Sequence, residues 1–453
     1  MSKNTQDAIY NVKELGAGKT FVLGLQHMFA MFGSTVLVPL LTGLDVSATL
    51  LFAGIGTLIF HLVTKGKVPA FLGSSFAFLG GYAAIAPLLE DGRSNVEMIP
   101  YACFGVACAG LVYLIMAGLI KLFSAKKIMK FFPPIVTGPI IIAIGLTLSK
   151  SAIDSCSSNW IVALVAILVV IICNIFGKGM IKIIPILIGV IASYVVGIIA
   201  GEVDFATVKD ASWIGLPVVK DMTILGLFDD NFDASTLVTS IITIVPIALA
   251  TIVEHIGDIS AISSTTGKNY IKEPGLHRTL MGDGIATIVA SLFGASANTT
   301  YGENTGVLNL SKVYDPFVVR LAAVFAIFFS FCPKFAAVIQ AMPTATVGGI
   351  SLILYGMISA VGVRNVVENK VDFAKSRNVI IAALILVLSI GINYSTTGAI
   401  SFSIGDVNIS LSGLAVGALV GIILNAILPD KDYEFDEEDP EDTGVNFDVG
   451  QSH

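Results

Sequence analysis

Four ionisable side chains sit where almost all their neighbours are apolar. Glu254 and Asp258 lie in TIVPIALATIVEHIGD, four residues apart, which puts both on one face of a helix. Glu303 lies in GASANTTYGENTGV (294–307), a small, polar, turn-forming stretch between long apolar runs. His27 lies beside Gln26 in GLQHMFAMFG. A carboxylate in such a setting costs several kcal/mol unless it is neutralised, paired or hydrated. It can therefore bind and release a proton, or accept an N–H from a polar solute. Asp283, early in a later apolar run, suits packing as well as chemistry. So does His255, which neighbours Glu254 but points about 100° away around the helix. His61 and His277 fall near the edges of apolar runs.

Other chemistry is scarce. There is no P-loop, hence no ATP motor in this chain. EHIGD lacks the second histidine of a zinc protease, and GGYAAIAPLL carries no dinucleotide fingerprint. No recognisable nucleophile–base set appears, so the chain reads as a non-enzyme that needs no cofactor or metal. No basic strip with interleaved aromatics points to nucleic acid. The five cysteines (Cys103, Cys108, Cys156, Cys173 and Cys332) form no CxxC and mostly lie in apolar runs, as small packing residues do.

The elements that must position these groups are membrane spans. Of the 453 residues, 55% are hydrophobic and only 13% charged, against about 25% charged in soluble proteins; the mean hydropathy is +0.86. Apolar runs recur at a length that crosses roughly 30 Å of hydrocarbon. The polar opening MSKNTQDAIYNVKELGAGKT predicts no cleavable leader. About fourteen spans are expected, near 20–42, 47–64, 68–88, 98–122, 133–149, 159–177, 182–201, 235–258, 276–293, 299–313, 316–333, 335–360, 377–393 and 408–428. With a cytoplasmic N-terminus, the outer side holds only Arg93, Lys150, Lys209, Lys220 and Lys334 of the 26 Lys and Arg. That bias predicts both termini in the cytoplasm of a bacterial-type inner membrane. The net charge of −7 comes largely from the end DKDYEFDEEDPEDTGVNFD, read as a solvated cytoplasmic tail.

The third and tenth spans are poor helices. KVPAFLGSSFAFLGG and NTTYGENTGV mix Gly, Ser and Thr with aromatics where a plain span holds Leu and Ile. They occupy equivalent places in two halves of seven, and because seven is odd the halves are inverted. Interrupted segments at matching positions of inverted halves point to a transporter's binding site. Their non-helical backbone requires cover by protein or by a water-filled cavity. Glycine-rich packing helices are the plainer alternative. The expected fold is all-α and polytopic, with short strands in the two broken spans.

LQHMFAMFGSTVLVP (25–39), PAFLGSSFAF (69–78), EHIGD (254–258), EPGLHR (273–278) and NTTYGENTGV (298–307) resemble the nucleobase–cation symporter-2 family, the nucleobase–ascorbate transporters. The resemblance runs from about residue 25 to 429 and is nearest the family's bacterial uracil:proton symporters. It implies an elevator-type carrier in which spans one to four and eight to eleven form a core. Spans five to seven and twelve to fourteen then form a gate. The chain accordingly divides into a tail 1–19, spans one to five over 20–149, and spans six and seven with an outer loop over 150–234. Spans eight to eleven follow over 235–333, spans twelve to fourteen over 334–428, and the acidic tail over 429–453.

Carried over residue by residue, the resemblance makes Glu254 and Glu303 the carboxylates that hold the base. Phe76 and Gly302 match positions whose backbone amides touch it, and Ser75 and Tyr301 flank them. Tyr355 matches a gate residue near the pocket, and His27 a polar first-span residue. Asp258 and Glu254 are the candidates for proton coupling. The implied partners are uracil, a proton and the lipid bilayer, with a homodimer as the family's habit. Two departures stand out. Ser311 precedes Lys312 where the family has Thr, and Asp258 replaces the histidine of the uracil-carrier pattern. A purine such as xanthine or urate, carried by the same fold, is the nearest alternative. A passive anion channel is disfavoured by two carboxylates facing the pathway, and an intramembrane enzyme ranks last.

Overall fold

The computed structural model describes residues 8–89, 92–228, 232–404, 407–431 and 433. The side chains of residues 180, 183, 303, 404 and 407–409 lie outside that description, as does nearly all of the acidic tail expected over 429–453. Leaving aside single-turn helices, the order is α1 (Ala17–Thr42), α2 (Val46–Val63), β1 (Leu72–Ser74), α3 (Leu79–Ile85), α4 (Ile99–Phe123), α5 (Pro134–Cys156), α6 (Trp160–Phe176) and α7 (Pro185–Ile199). There follow α8 (Ala234–Ile244), α9 (Ala248–Thr266), α10 (Leu276–Leu292), β2 (Asn298–Thr300), α11 (Gly302–Ser311), α12 (Pro316–Ser330) and α13 (Pro333–Gln340). The chain ends through α14 (Thr344–Glu368), α15 (Ser376–Asn393), the hairpin β3 (Ala399–Ile404) and β4 (Val407–Ser412), and α16 (Gly413–Ile427).

Among the described residues seven helices are long and apolar enough to cross a membrane, or eight if the bent pair α12 and α13 counts as one span. The outer surface is itself apolar. Along α6, Ile161, Leu164, Leu168, Ile172 and Ile175 are all exposed at three- and four-residue spacing, a continuous stripe such as lipid requires.

Several elements differ from the pattern read in the sequence, and prolines account for most of it. The apolar run at 335–360 is two helices. Residues 333–340 form α13, bent 87° from α12, and Pro343 separates α13 from α14, because proline cannot continue the preceding hydrogen-bond ladder. The run at 235–258 extends to Thr266, with a 3-10 turn at Val245–Ile247 that contains Pro246. The run at 408–428 begins as strand, and its helix starts only at Gly413, where the Ser412 hydroxyl accepts from the Ala415 N–H at 3.3 Å. The β3–β4 hairpin was not foreseen.

The first and second halves of the chain meet at a short antiparallel ladder. Leu72 faces Thr300, Gly73 faces Thr299 and Ser74 faces Asn298. It continues past the strands, with Ser75 N–H donating to Ala297 C=O at 2.9 Å and Tyr301 N–H to Phe71 C=O at 3.0 Å. Side-chain bonds tie the ladder to the surrounding helices. Thr57 of α2 accepts from Leu72 N–H at 2.9 Å, Thr287 of α10 donates to Asn298 C=O at 2.9 Å, and Asn298 Nδ2 donates to Phe52 C=O at 3.0 Å. Tyr301 lies across the ladder and donates to Ser74 C=O at 2.9 Å.

Gly73 is what lets that ring lie so close. A Cβ there would stand 2.4 Å from the Tyr301 ring and 2.7 Å from Thr35 Oγ1. The ring is tied by its hydroxyl and cannot swing aside. Gly73→Ala is expected to destabilise the protein by about 1–3 kcal/mol through overpacking, read as a lowered melting temperature of the purified protein. A variant melting like wild type would show that the ring has room to move.

Candidate functional site

Each strand of the ladder runs directly into a helix start. β1 leads through Ser75 to a 3-10 turn at Phe76–Phe78 and then α3. β2 leads through Tyr301 to α11, whose N-cap, Tyr301, makes no side-chain hydrogen bond to the first turn. The first N–H groups of a helix have no partner within it and carry the positive end of its dipole. Beside these two starts lies a cavity of about 610 Å³ of atom-free space, part of it open to solvent. Phe76, Glu254, Asp258, Tyr301 and Gly302 line it, together with Thr299 and Thr300. The far wall is apolar, formed by Ile141 of α5 and by Leu354, Ile358 and Val361 of α14.

Glu254 and Asp258 reach the cavity from one face of α9. Asp258 is buried, and its Oδ2 accepts the Thr300 hydroxyl at 2.7 Å. This bond ties α9 to the second strand of the ladder. His255, on another face of the same helix, turns away. Its Nδ1 stands 2.9 Å from Asp283 Oδ2, both side chains fully buried, with the Phe60 ring edge-on to the imidazole. Asp283 thus has a partner elsewhere, and the two acidic groups of α9 are left to the cavity.

His27, Ser75 and Tyr355 stand outside that lining. His27 is buried in α1 and joined to α11: Asn304 Nδ2 lies 3.2 Å from His27 Nδ1 and donates to His27 C=O at 2.9 Å. Ser75 is buried one residue before Phe76. Tyr355, buried in α14, meets Phe76 edge-to-face at 5.9 Å between ring centroids. Glu303 is the second residue of α11, and its side chain lies outside the described residues.

Sequence reasoning missed Thr299 and Thr300, though both belong to the NTTYGENTGV stretch it singled out. The apolar wall had no signal of its own, since Leu354, Ile358 and Val361 resemble any other span residues. α5 and α14 cross at close range, with Ser359 Oγ donating to Ile142 C=O at 3.1 Å. A Cβ on Gly145 would fall 2.1 Å from Tyr355 C=O.

A cavity with carboxylates and two helix starts on one side and an apolar wall on the other is the arrangement expected of a membrane carrier. A profile of the Permease family matches residues 18–398, and the chain belongs to that family, the nucleobase–cation symporter-2 permeases. It is a transporter of the multi-pass bacterial membrane type and not an enzyme. It is 40% identical to the uracil permease of Bacillus caldolyticus over 421 residues, covering 91% of this chain and 92% of that one. It is 41% identical to the uracil permease of Bacillus subtilis over 418 residues, 89% and 91%. Identity to the Escherichia coli K12 uracil permease is 36% over 420 residues, 90% and 91%. In fold it is similar to the transmembrane domain of the cyanobacterial bicarbonate transporter BicA, with TM-score 0.57 and 17% identity over 93% of this chain and all of that one. Murine Slc26a9, an anion transporter in the inward-facing state, gives TM-score 0.61 and 11% identity over 94% of this chain and 69% of that one.

The Asp258–Thr300 bond yields a direct test. Thr300→Val keeps the shape and removes the hydroxyl, leaving a buried carboxylate without that donor, a loss of about 1.5–3 kcal/mol for a bond to a charged group. Solute uptake and melting temperature should both fall, and Thr300→Ser should restore both. Full uptake by Thr300→Val would mean that the bond has no part in the site.

Proposed function

We propose that this protein imports uracil across the cytoplasmic membrane by proton symport. The observation that carries the reading is the cavity at the β1–β2 ladder, where carboxylates of α9 face a helix start. The name uracil permease, borne by relatives at 36–41% identity over most of the chain, supports the same solute. Uracil presents N–H donors and C=O acceptors around a flat ring. In this reading Glu254 and Glu303 accept the N–H groups, and the amides at Phe76 and Gly302 donate to the oxygens. Phe76 also covers one ring face. Ser75 and Tyr301 hold those amides in place, Tyr355 backs Phe76 from the gate, and His27 steadies α11.

Proton coupling is assigned to Asp258 with Glu254. Asp258 sits one turn from Glu254 and is bonded to the strand that precedes Gly302, so a change in its protonation is felt at both. The transport unit is read as fourteen spans in two inverted sevens, with both termini cytoplasmic. Its core comprises spans one to four, the part of 20–149 ahead of the fifth span, and spans eight to eleven over 235–333. Its gate comprises spans five to seven and twelve to fourteen, largely over 150–234 and 334–428. The core carries the ladder, α9 and α11, and the gate supplies the apolar wall of α5 and α14. Sliding the core along that smooth wall carries the solute across in an elevator-type cycle, and pairing of two copies through their gates holds the walls still.

Proteoliposomes test this reading. Labelled uracil should accumulate when the outside is acidified, unlabelled uracil should compete better than xanthine, and a protonophore should abolish accumulation. Uptake that ignores both the pH gradient and the protonophore but follows sodium would overturn the coupling. Preference for xanthine would overturn the solute.

A further inference from the structure

A second cavity lies apart from the site, where the N-terminal strap, the first turns of α1, the end of α11 and residues 179–182 ahead of α7 converge. It encloses about 1190 Å³ of atom-free space, open in part to solvent. The strap that closes one side is firmly held. Ile9 N–H donates to Lys312 C=O at 2.9 Å and Ile9 C=O accepts from Tyr314 N–H at 2.8 Å. The Tyr10 hydroxyl donates to Thr266 C=O at 2.7 Å, and Val12 N–H donates to Asp315 Oδ2 at 2.9 Å. The cavity is thus a built feature of the fold.

Its lining has two characters. Ile9, Leu15, Leu23 and Leu310 make most of it apolar. Lys19 and Lys182 bring two ammonium groups, and among the described residues no carboxylate lines the cavity. Neither lysine has an ion pair or hydrogen bond among the described residues. α1 also begins here at Gly16 without a side-chain cap, which adds the positive end of a helix dipole to the same charge. Two unpaired cations over a greasy cleft at the edge of a membrane bundle suit a ligand with an anionic head and an apolar tail.

We propose that this cavity holds the phosphate headgroup of an anionic phospholipid between Lys19 and Lys182, with an acyl chain lying along Leu23 and the exposed Val22. A soluble phosphate would use the lysines and leave the apolar lining wet, so the lipid is the better match. Lys19 belongs to α1 and Lys182 to the segment that enters α7, so the headgroup bridges the two bodies that the permease reading calls core and gate. The inference rests on that reading only in setting the cavity at a bilayer edge.

The test uses the full-length protein purified in detergent, titrated with phosphatidylglycerol and with phosphatidylcholine and read by native mass spectrometry. Phosphatidylglycerol should bind more tightly. Replacing both lysines, as Lys19→Gln with Lys182→Gln, should weaken it roughly thirtyfold, about 2 kcal/mol at ~1 kcal/mol per lysine. Lys19→Arg with Lys182→Arg should retain binding. Lys126→Gln with Lys127→Gln, an equal charge loss at exposed positions away from the cavity, should leave it unchanged. Melting temperature checks that every variant is folded. Unchanged lipid binding in the Lys19/Lys182 variant, equal loss in both Gln pairs, or displacement of the lipid by equimolar inorganic phosphate would overturn the proposal. None of these readouts uses uracil, so failure of the transport reading would leave them standing.

Discussion

Backbone that leaves the helix inside a bilayer must find every hydrogen bond from its own protein, since each unmet group costs several kcal/mol there. The ladder of residues 72–74 and 298–300 is this protein's answer, and the remaining architecture follows from it. Two three-residue strands cannot stand alone. They are gripped by Thr57 and Thr287, which reach in from α2 and α10 to groups the ladder leaves over, by Asn298, whose own side chain bonds α2, and by the Tyr301 hydroxyl laid across to Ser74. That grip brings two helix starts beside one cavity. A single-half fold could not do it, because each strand needs the other half as its partner.

The ladder also sorts the acidic groups. Asp283 and His255 meet each other at 2.9 Å, both fully buried, and neither lines the cavity. Asp258 instead bonds a strand residue and faces the cavity with Glu254. The Thr300 hydroxyl offsets part of the cost of burying that carboxylate while leaving it on the cavity's lining. The wall opposite offers aliphatic side chains, Ile141 of α5 and Leu354, Ile358 and Val361 of α14, so the polar groups of the cavity are gathered on the ladder's side.

Much of this was written in the sequence in local form. The broken segments announced themselves because Gly, Ser and Thr cluster where a span should hold Leu, and the four-residue step from Glu254 to Asp258 fixed a shared face. What stayed hidden depends on distant pairing. Nothing near Thr300 reveals that its hydroxyl meets Asp258, 42 positions away. Leu354, Ile358 and Val361 differ in no visible way from residues that face lipid, since lipid and an apolar wall select the same side chains. The break at Pro343 was masked by the apolar runs that begin a few residues to either side, and the β3–β4 hairpin by a run whose alternation of Ile and Phe with Ser is as compatible with a span edge as with a strand. Glu303 stands second in α11, and its side chain lies outside the described residues.

The central claim is that the carboxylates at the ladder hold the base. It is tested most directly by calorimetric uracil binding to purified wild type, Glu254→Gln and Glu303→Gln. Gln keeps the size of Glu but turns a charge-assisted bond into a neutral one, and affinity is expected to fall about tenfold or more in each variant. Wild-type affinity in both variants would contradict the account and move the binding site away from the ladder.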